Sequence, residues 1–371
     1  MMFNMTQKIL ALDKYKKNIT DYLNNFLAQE EKILAKLSLD DNVFDTLKNF
    51  LLLGKMSRAN LLILSYEILQ SNPADLSLKE ILPFASALEL IQAGLLIHDD
   101  IIDQDQKRRG QNSIWQYYAL QKSSYNQHYG KSQAICLADL AFFLANQLIT
   151  EGCAGFNSSN ELKNNRPYNQ KSFDIQQLIN REISQVVMAE MLDVQLAIDE
   201  KIPSLEQIMQ MYLYKTARYS FSLPLMLAGY LADQSPTIIK QLSQIGEKIG
   251  LIYQIQDDYL GIFGDNKKTG KPILSDVREG KKTIFYYYLL KSNTLKSQEK
   301  QLLNDCFASQ KIEVKQGLAL KKLFSSHSLK PVNAQLNQLN QEALTIIDQL
   351  NNKQLEKLLK QILVFAQNRQ H

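Results

Sequence analysis

Apolar residues recur with helical spacing along almost the whole chain. No segment shows the two-residue alternation of a half-buried strand, so the pattern predicts an all-α protein. Helix starts are indicated at Ser77, Ser204 and Ser235, each a capping residue before an apolar run, although Pro83 favours a restart of the first helix. The expected architecture is a single-domain helical bundle with a central cavity.

The pattern breaks once, at residues 157–172. This segment is rich in Asn, Ser, Lys and Gln and contains Pro167, which predicts a flexible loop between two helices. Apolar helical sequence resumes on both sides, so we expect one domain over residues 1–371 rather than a domain boundary. A second polar stretch, residues 291–301, is expected to connect two further helices.

Composition narrows the functional classes. The 42 basic and 38 acidic residues give a formal charge of +4, which does not indicate nucleic acid or an anionic membrane as a partner. No glycine-rich nucleotide-binding fingerprint is present. The three cysteines have no metal-ligand spacing and are typical of reduced thiols, which predicts a cytoplasmic location. Apolar stretches such as residues 222–232 fall short of the ~20 residues that span a bilayer, so no integral membrane segment is expected.

Two acidic clusters lie inside apolar, helix-like sequence. Asp99, Asp100 and Asp103 form the first, and Asp257 with Asp258 forms the second. Asp99 and Asp103 are four residues apart, so on a helix they share a face and repel each other. Divalent cations such as Mg²⁺ would relieve this repulsion, because they prefer oxygen ligands and keep positions open for phosphate oxygens.

Basic residues accompany both clusters, and they indicate a phosphate-bearing ligand. If the two acidic faces border one cavity, metals bridging a diphosphate would make it a leaving group without a protein nucleophile. Arginine suits bidentate phosphate contacts, and an apolar chamber would exclude water from a carbocation. The candidate residues for this clamp are Arg108, Arg109, Lys215, Lys271 and Lys281.

These motifs together resemble the trans-isoprenyl diphosphate synthases, the polyprenyl synthetase family, over about residues 50–290. The family's first motif, DDxxD-x4-RRG, is met in full from Asp99 to Gly110. The second, FQxxDDxLD-x2-GD followed by GKP and EGKxT, is met from Tyr253 to Thr283 with two changes. Lys215-Thr216 matches the lysine–threonine pair, and residues 54–58 match the upstream glycine–lysine–arginine motif.

The resemblance implies an all-α homodimer of the isoprenoid synthase type and a set of residue roles. Asp99 and Asp103 would ligate two of three Mg²⁺ ions with Asp100 in support, and Asp257, beside Asp258, would hold the third. Asp99, Asp103, Asp257 and Lys215 are the implied catalytic residues. The implied residues for the allylic diphosphate are Arg108, Lys215 and Lys271, and those for isopentenyl diphosphate are Lys55, Arg58, Gln92 and Arg109. Thr216, Gln254 and Lys281 complete the implied substrate-binding set.

The chain departs from the family pattern at several positions. The last aspartate of the second motif is Gly261, which leaves the third metal one carboxylate fewer, with Asp265 nearby. Gln92 stands where many relatives have histidine. The usual GQxxD motif is Ala189-Glu190-Met191-Leu192-Asp193, and the usual GD after the first motif is Ala138-Asp139.

The resemblance also bears on product length. In this family the residues four and five positions before the first aspartate form the floor of the elongation tunnel, and an aromatic there stops growth early. Here they are Leu95 and Gly94, with Ile91 one turn deeper, so a product of C20 or longer is expected.

The implied reaction is head-to-tail (1'-4) condensation of isopentenyl diphosphate with an allylic diphosphate. Alternatives are a farnesyl diphosphate synthase, a subunit of a heteromeric synthase, and a terpene cyclase. A non-catalytic subunit usually lacks the aspartate-rich motifs, and this chain has both. A terpene cyclase needs no isopentenyl site, so the presence of Lys55, Arg58 and Arg109 argues against a cyclase. A single aspartate pair is more often a solvated helix end; two pairs with matched basic residues favour the metal site.

Overall fold

Helix dominates the protein, as the sequence pattern predicts. A computed structural model describes residues 13–34, 37, 42–70, 77–122, 124–160, 168–264, 274–309 and 311–368. The helices are α1 (Lys16–Leu34), α2 (Val43–Leu52), α3 (Ser57–Leu69), α4 (Leu78–Ile102), α5 (Ile114–Leu120), α6 (Gln127–Asn160), α7 (Tyr168–Ile198), α8 (Leu205–Tyr212), α9 (Leu223–Leu231), α10 (Pro236–Phe263), α11 (Ser275–Arg278), α12 (Ile284–Leu290), α13 (Ser297–Cys306), α14 (Val314–Ile347) and α15 (Lys353–Gln367). A π-helical segment, Leu213–Ser222, joins α8 to α9. In the described ranges the strands are β1 (Lys107–Arg108) and β2 (Gln111–Asn112).

The chain divides into two compact units, Met1–Gln177 and Leu178–His371. The division falls inside α7. The expectation of a single domain over the whole chain stays a prediction.

The first unit is organised around α4 and α6, which pack along each other. Glycines allow the close approach: a Cβ at Gly152 of α6 would lie 2.8 Å from ring atoms of Phe84 on α4. Helices α3 and α5 pack against this pair. The largest fully buried side chains of the unit include Trp115, Tyr118 and Phe84. The carboxylate-bearing end of α4 is therefore supported by a closely packed core.

The second unit is organised around α10, which packs against the π-helical segment, α9, α14 and α15. Leu242, Ile245, Ile249 and Ile252 are completely buried and recur every three or four residues, which is the spacing of one helical face. This buried face fixes the orientation of α10 and hence of the acidic cluster near its C-terminal end.

The predicted helix starts are largely confirmed. Ser204 forms a reciprocal capping box with Gln207, and Ser235 accepts a hydrogen bond from the Ile238 N–H at the start of α10. Ser77 is the N-cap of α4 but makes no side-chain capping bond. The predicted restart at Pro83 is wrong, because α4 runs through it. Proline lacks one N–H donor, and the long buried helix tolerates that loss near its N-terminal end.

The predicted loop at residues 157–172 is too wide. Helix α6 continues to Asn160 and α7 begins at Tyr168, so helical backbone covers residues 157–160 and 168–172. Asn, Ser, Lys and Gln lower helix propensity by only a few tenths of a kcal/mol each, on the order of what neighbouring helical structure overrides. Residues 161–167, with Pro167, lie outside the described residues. The connection predicted at residues 291–301 is confirmed between α12 and α13 but is shorter, because α13 begins at Ser297.

Two helices are long and apolar enough to cross a membrane by length and composition. These are Leu78–Ile102 and Gln127–Gly155, with 83% and 44% of their most apolar 18-residue windows buried inside the protein. The expectation that every apolar stretch falls short of a membrane span was wrong for these helices, since it counted only uninterrupted runs. Burial in the first unit accounts for the apolar character of α4, and the absence of an integral membrane segment stays a prediction.

Candidate active site

The first acidic cluster lies at the C-terminal end of α4 and is paired with Arg108. Arg108 Nη2 lies 2.9 Å from Asp99 Oδ2, and Arg108 Nε donates to Asp100 Oδ1 at 2.5 Å. Asp100 is fully buried, and its Oδ2 has no hydrogen-bond partner. Asp103, one turn beyond Asp99, is the C-cap residue of the helix. The cluster thus has two partly exposed carboxylates, Asp99 and Asp103, and one buried carboxylate.

Burial and charge act in opposite directions in this cluster. Burial raises the pKa of the Asp100 carboxyl to about 7, although the Arg108 guanidinium pulls it down. Burial alone would lower the pKa of Arg108. The negative charges of Asp100, which has the larger effect, and of Asp99 raise the pKa above its ordinary value. Arg108 is therefore a permanent cation beside Asp99.

A two-residue hairpin presents the two arginines differently. Strands β1 and β2 pair antiparallel with Arg108 opposite Gln111, and the turn residues Arg109 and Gly110 have φ values of +53° and +78°. Two positive φ values are typical of a type I′ turn, which needs glycine at one position because other residues pay a steric cost there. The turn directs Arg108 toward the acidic cluster and leaves Arg109 at the tip.

Trp115 fixes the loop between α4 and the hairpin. Its Nε1 donates to the carbonyl oxygens of Asp100 at 3.0 Å and Asp105 at 2.8 Å. It is the only tryptophan of the chain and is almost completely buried. Its fluorescence will therefore report on this loop alone.

Arg109 contacts the end of α2. Its Nη1 donates to the Phe50 carbonyl at 3.2 Å, and its guanidinium lies 5.6 Å from the Phe50 ring centroid. A Cβ at Gly54 would lie 3.4 Å from Arg109 Nη1, so glycine leaves room for the guanidinium. Gly54 of the upstream glycine–lysine–arginine motif is thus adjacent to the second arginine of the aspartate-rich motif.

Glu89 of α4 interacts with residues of two other segments and was not predicted from the sequence as a site residue. Glu89 is buried and accepts a hydrogen bond from the Ala59 N–H at 3.1 Å. Burial raises its pKa, while the charges of Arg58 and Arg109 lower it, so both guanidinium groups lie near this carboxyl. The available signal was a lone glutamate in the otherwise apolar run of α4, three residues before Gln92, which is also buried.

Backbone strain marks the same region. Met56, at the N-cap of α3, has φ of +51°, a left-handed conformation that costs a non-glycine residue on the order of 1 kcal/mol. It lies between Lys55, which is exposed, and Arg58. The structure therefore brings Arg58 and Arg109 together around Glu89, with Lys55 on a strained turn beside Arg58.

A cavity of about 310 Å³ lies beside the two arginines in the first unit. Its lining combines the guanidinium groups with amides and aromatic rings. The lining residues are Thr46, Asn49, Phe50, Leu53, Arg108, Arg109, Gln111, Asn112, Ile114 and Tyr117.

In the second unit, one stripe of α10 faces the π-helical segment. Gly246, Gly250, Gln254 and Asp258 are each four residues apart and therefore share a helix face. A Cβ at Gly246 would lie 2.5 Å from Ser222 Cα, and one at Gly250 would lie 2.5 Å from the Ala217 Cβ. The glycines thus let the two backbones touch. The spacing Gly246-x3-Gly250 is the sequence signal of this close approach.

The same stripe positions Thr216 and the second acidic cluster. Thr216 Oγ1 donates to Gln254 Oε1 at 2.8 Å, and Gln254 Nε2 donates to Asp258 Oδ1 at 2.9 Å. Gln254 thus accepts from Thr216 and donates to Asp258 at the same time. The lysine–threonine pair and the acidic cluster are therefore joined by side-chain hydrogen bonds.

Lys215 is held by two carboxylates of α7. Its Nζ lies 2.9 Å from Glu190 Oε2 and 2.6 Å from Asp193 Oδ2. Glu190 stands where the usual GQxxD motif has glutamine, which adds a negative charge beside Lys215, and Asp193 is the aspartate of that motif. The pairing of this segment with Lys215 was not predicted from the sequence.

The two aspartates of the second cluster have different environments. Asp258 is buried; Tyr212 donates to its Oδ2, and the Tyr212 hydroxyl accepts the Ile284 N–H at 2.9 Å. Burial raises the pKa of Asp258 well above its ordinary value, and the neighbouring charge of Asp276 adds to this. Asp257 is exposed. Asp257 is therefore better placed than Asp258 to bind a cation.

Gly261 has a carboxylate at its side in spite of the lost aspartate. A Cβ at Gly261 would lie 2.5 Å from Asp276 Cγ, so the Asp276 carboxylate occupies the space of the missing side chain. Lys281 Nζ lies 2.8 Å from Glu279 Oε2 in the following turn. Lys271 and Asp265 lie outside the described residues, as does the GKP segment.

The space at Gly94 is filled rather than open. A Cβ there would lie 2.8 Å from Cε1 and Cζ of Phe142 on α6 and 3.1 Å from the Ala138 carbonyl oxygen. Ile91 is buried and Leu95 is partly exposed. The expectation of a product of C20 or longer relied on open space at Gly94, and that support is lost because a neighbouring helix supplies an aromatic ring.

The oxygen donors of the first acidic cluster fit Mg²⁺, but the described residues do not form a complete metal-binding group. In the described part of the chain, no three or more His, Cys, Asp or Glu side chains lie together in a metal-binding arrangement. Asp99 and Asp103 nevertheless offer only oxygen donors, partly exposed and four residues apart, which is what Mg²⁺ prefers. The buried, unpaired Asp100 Oδ2 beside them is a further oxygen available to a cation or its water.

Comparison with known proteins agrees with this chemistry. The chain matches the polyprenyl synthetase family over residues 42–324. It is 29% identical over 272 residues to a short chain isoprenyl diphosphate synthase from Methanocaldococcus jannaschii, with 72% of each chain covered. It is 30% identical over 285 residues to a geranylgeranyl diphosphate synthase from Saccharolobus solfataricus, with 76% of this chain and 78% of the relative covered.

The fold is also similar to that of solved structures. A geranylgeranyl pyrophosphate synthase from Corynebacterium glutamicum, crystallised with isoprenyl diphosphate and magnesium, superimposes with a TM-score of 0.84 at 24% identity. The match covers 96% of this chain and 99% of that one. Matched relatives range from farnesyl to geranylfarnesyl diphosphate synthases, so similarity alone leaves the product length open.

Proposed function

Because this chain belongs to the polyprenyl synthetase family and is a prenyltransferase, we propose that it condenses isopentenyl diphosphate head-to-tail (1'-4) with an allylic diphosphate. The product is a trans-polyprenyl diphosphate, and the reaction depends on Mg²⁺. The observation that carries the proposal is the first aspartate-rich motif with its hairpin. One arginine there pairs with the carboxylates, and the next turns away toward Phe50, Gly54 and Glu89.

The proposal assigns the two arginines to different substrates. Arg108, fixed beside Asp99, binds the allylic diphosphate together with Lys215 and Lys271. Arg109 and Arg58, near Glu89, bind isopentenyl diphosphate with Lys55 and Gln92. Glu89 positions both guanidinium groups and compensates part of their repulsion, which keeps the pair available for a dianionic head group.

The reaction needs no protein nucleophile. Asp99, Asp103 and Asp257 would hold the Mg²⁺ ions, three in this proposal, and bound Mg²⁺ would supply positive charge to the departing diphosphate. The allylic carbon–oxygen bond breaks, and the double bond of isopentenyl diphosphate attacks the cation to form the new carbon–carbon bond. This bond leaves a positive charge on the other carbon of the former isopentenyl double bond. The CH₂ group next to that carbon then loses a proton, which the released diphosphate accepts, and a new double bond forms. Arg108 and Lys215 hold the diphosphate in place for this step.

The decisive experiment is product analysis of the purified chain. Labelled isopentenyl diphosphate is supplied with geranyl or farnesyl diphosphate, with and without Mg²⁺. Mg²⁺-dependent growth by five-carbon units supports the proposal. Cyclised hydrocarbon formed without incorporation of label would indicate a terpene cyclase, and absence of any product would refute the proposal for the isolated chain.

Arg109→Gln is expected to weaken the binding of isopentenyl diphosphate more than the binding of the allylic substrate. We expect KM for isopentenyl diphosphate to rise about 10- to 100-fold, since a charged hydrogen bond contributes roughly 1.5–3 kcal/mol. KM for the allylic substrate should change by less than about threefold. Steady-state kinetics measure both values. Lys107→Gln, which removes an exposed cation from the same hairpin, is the control; equal effects of the two variants would contradict the assignment.

We also propose that the protein is a homodimer that uses α7. Val187, Met188, Met191, Val194 and Ile198 form one apolar stripe on this helix, with exposed fractions between 42% and 80%. Such a stripe is costly in water and is typical of an interface.

Met191→Glu is expected to raise the dimer dissociation constant by about tenfold or more, because it buries a charge in the interface. Light scattering after size-exclusion chromatography, over a range of concentrations, measures it. Leu318→Glu, at a residue of α14 that is 66% exposed, is the matched control and should leave the dimer intact. A dimer unaffected by Met191→Glu would contradict this interface.

A further inference from the structure

Phe142 of α6 occupies the place at which a side chain of residue 94 would stand. Ring atoms Cε1 and Cζ lie 2.8 Å from the Cβ position of Gly94. The same ring contacts His98, with ring centroids 5.7 Å apart and planes inclined by 56°. Phe142 therefore covers one full turn of α4, from Gly94 to His98, immediately before Asp99.

The Phe142 side chain is also partly exposed. Ala138, Ala141 and Ala145 of the same helix are completely or almost completely buried, whereas Phe142 is only partly buried. On α4, Leu95 and His98 are partly exposed as well, although most of the helix before them is buried. One edge of the phenyl ring is thus packed on α4, and another is accessible beside the residues that precede Asp99.

We infer that Phe142 limits the length of the prenyl product, an inference that rests on the function proposed above. A prenyl tail whose diphosphate lies at Asp99 and which extends along α4 toward its N-terminal end reaches Gly94 after about 7.5 Å, at 1.5 Å per residue. The phenyl ring stands there, and an apolar tail that grows past it must displace it. The aromatic stop is supplied by α6, while α4 contributes the glycine that accommodates it.

Product length is expected to increase as the side chain at position 142 becomes smaller. Phe142→Leu removes part of the ring, and Phe142→Ala removes all of it, which frees roughly the room of one five-carbon unit. We expect the longest main product to increase by at least one five-carbon unit in Phe142→Ala, with Phe142→Leu intermediate. Ionisation and condensation are expected to be unchanged in kind, because the phenyl ring of Phe142 carries no charge and can neither bind a metal nor transfer a proton.

The experiment compares product chain lengths of the wild-type protein, Phe142→Leu, Phe142→Ala and Phe143→Ala. Phe143 is the adjacent residue and is 75% exposed, so its truncation removes an equivalent phenyl ring from a different, solvent-facing part of the helix. Labelled isopentenyl diphosphate and geranyl diphosphate are used, so that a protein that stops at C15 still incorporates label, and products are separated after dephosphorylation. Thermal unfolding of each variant identifies any that fails to fold, and Phe142→Leu then carries the test.

Longer products from the Phe142 variants and unchanged products from Phe143→Ala support the inference. An unchanged product length in an active Phe142→Ala or Phe142→Leu protein overturns it. A wild-type protein that incorporates no label overturns the proposed function instead, so the two failures are distinguishable.

Discussion

Asp103→Asn is expected to lower kcat/KM for chain elongation by about 10²- to 10³-fold, the usual cost of removing one charged group that stabilises a leaving anion. Asp103 is suited to this test because it is the partly exposed C-cap of α4, whereas Asp99 and Asp100 are bound to Arg108. Asparagine preserves the size of the side chain and removes only its charge. The loss should come with weaker dependence on Mg²⁺, measured as the Mg²⁺ concentration at half-maximal rate.

The control is Asp105→Asn, two residues further along the same loop. Asp105 also lies near Arg108, at 3.8 Å, but is not part of the aspartate-rich motif. We expect its activity to stay within about threefold of the wild type. Trp115 fluorescence should be unchanged in both variants, because the indole is bound to backbone oxygens of this loop. Equal losses for both variants, or a shifted fluorescence spectrum, would indicate a structural rather than a metal-binding role for Asp103.

Gly250→Ala is expected to destabilise the protein by about 2–3 kcal/mol, which is large for one methyl group. The added Cβ would meet Ala217 backbone and side-chain atoms, the latter at 2.5 Å, and neither helix has a flexible side chain there that can move aside. Because Lys215 and Thr216 precede Ala217 directly, we expect activity to fall as well. Urea unfolding followed by circular dichroism measures the free-energy change.

Gly155→Ala is the matched control for this prediction. Gly155 also lies inside a helix, but a Cβ at this position would meet nothing within 4 Å. Alanine should therefore stabilise the protein by about 0.5–1 kcal/mol through its higher helix propensity. If both substitutions had the same sign, the close contact of α10 with the π-helical segment would not be the cause.

Features carried by neighbouring residues were predictable from the sequence. Ser204 and Gln207 lie three residues apart, and their capping box forms as expected. The shared face of Asp99 and Asp103 follows from helix geometry alone, as does the all-α class from the apolar spacing. Such interactions depend on a few adjacent positions and so are encoded locally.

Features that depend on distant partners were not predictable. Asp258 and Tyr212 are 46 positions apart, and the sequence contains no sign that a buried tyrosine would take one carboxylate oxygen. The space beside Gly94 is filled by Phe142, which lies on another helix. The residues of α4 alone therefore could not indicate that this space is occupied. Glu89 was overlooked because its partners, Arg58 and Arg109, belong to two other segments.

The π-helical segment Leu213–Ser222 has a consequence for the evolution of this enzyme. Each of its turns contains about one residue more than an α-helical turn, so the segment is a place where the chain has excess length. The loss of one residue here would restore α-helical winding and rotate everything upstream by roughly 100° relative to α10. Thr216 would then turn away from Gln254, and Lys215 from Glu190 and Asp193. Among related sequences, insertions and deletions should therefore be rarer than substitutions at these ten positions.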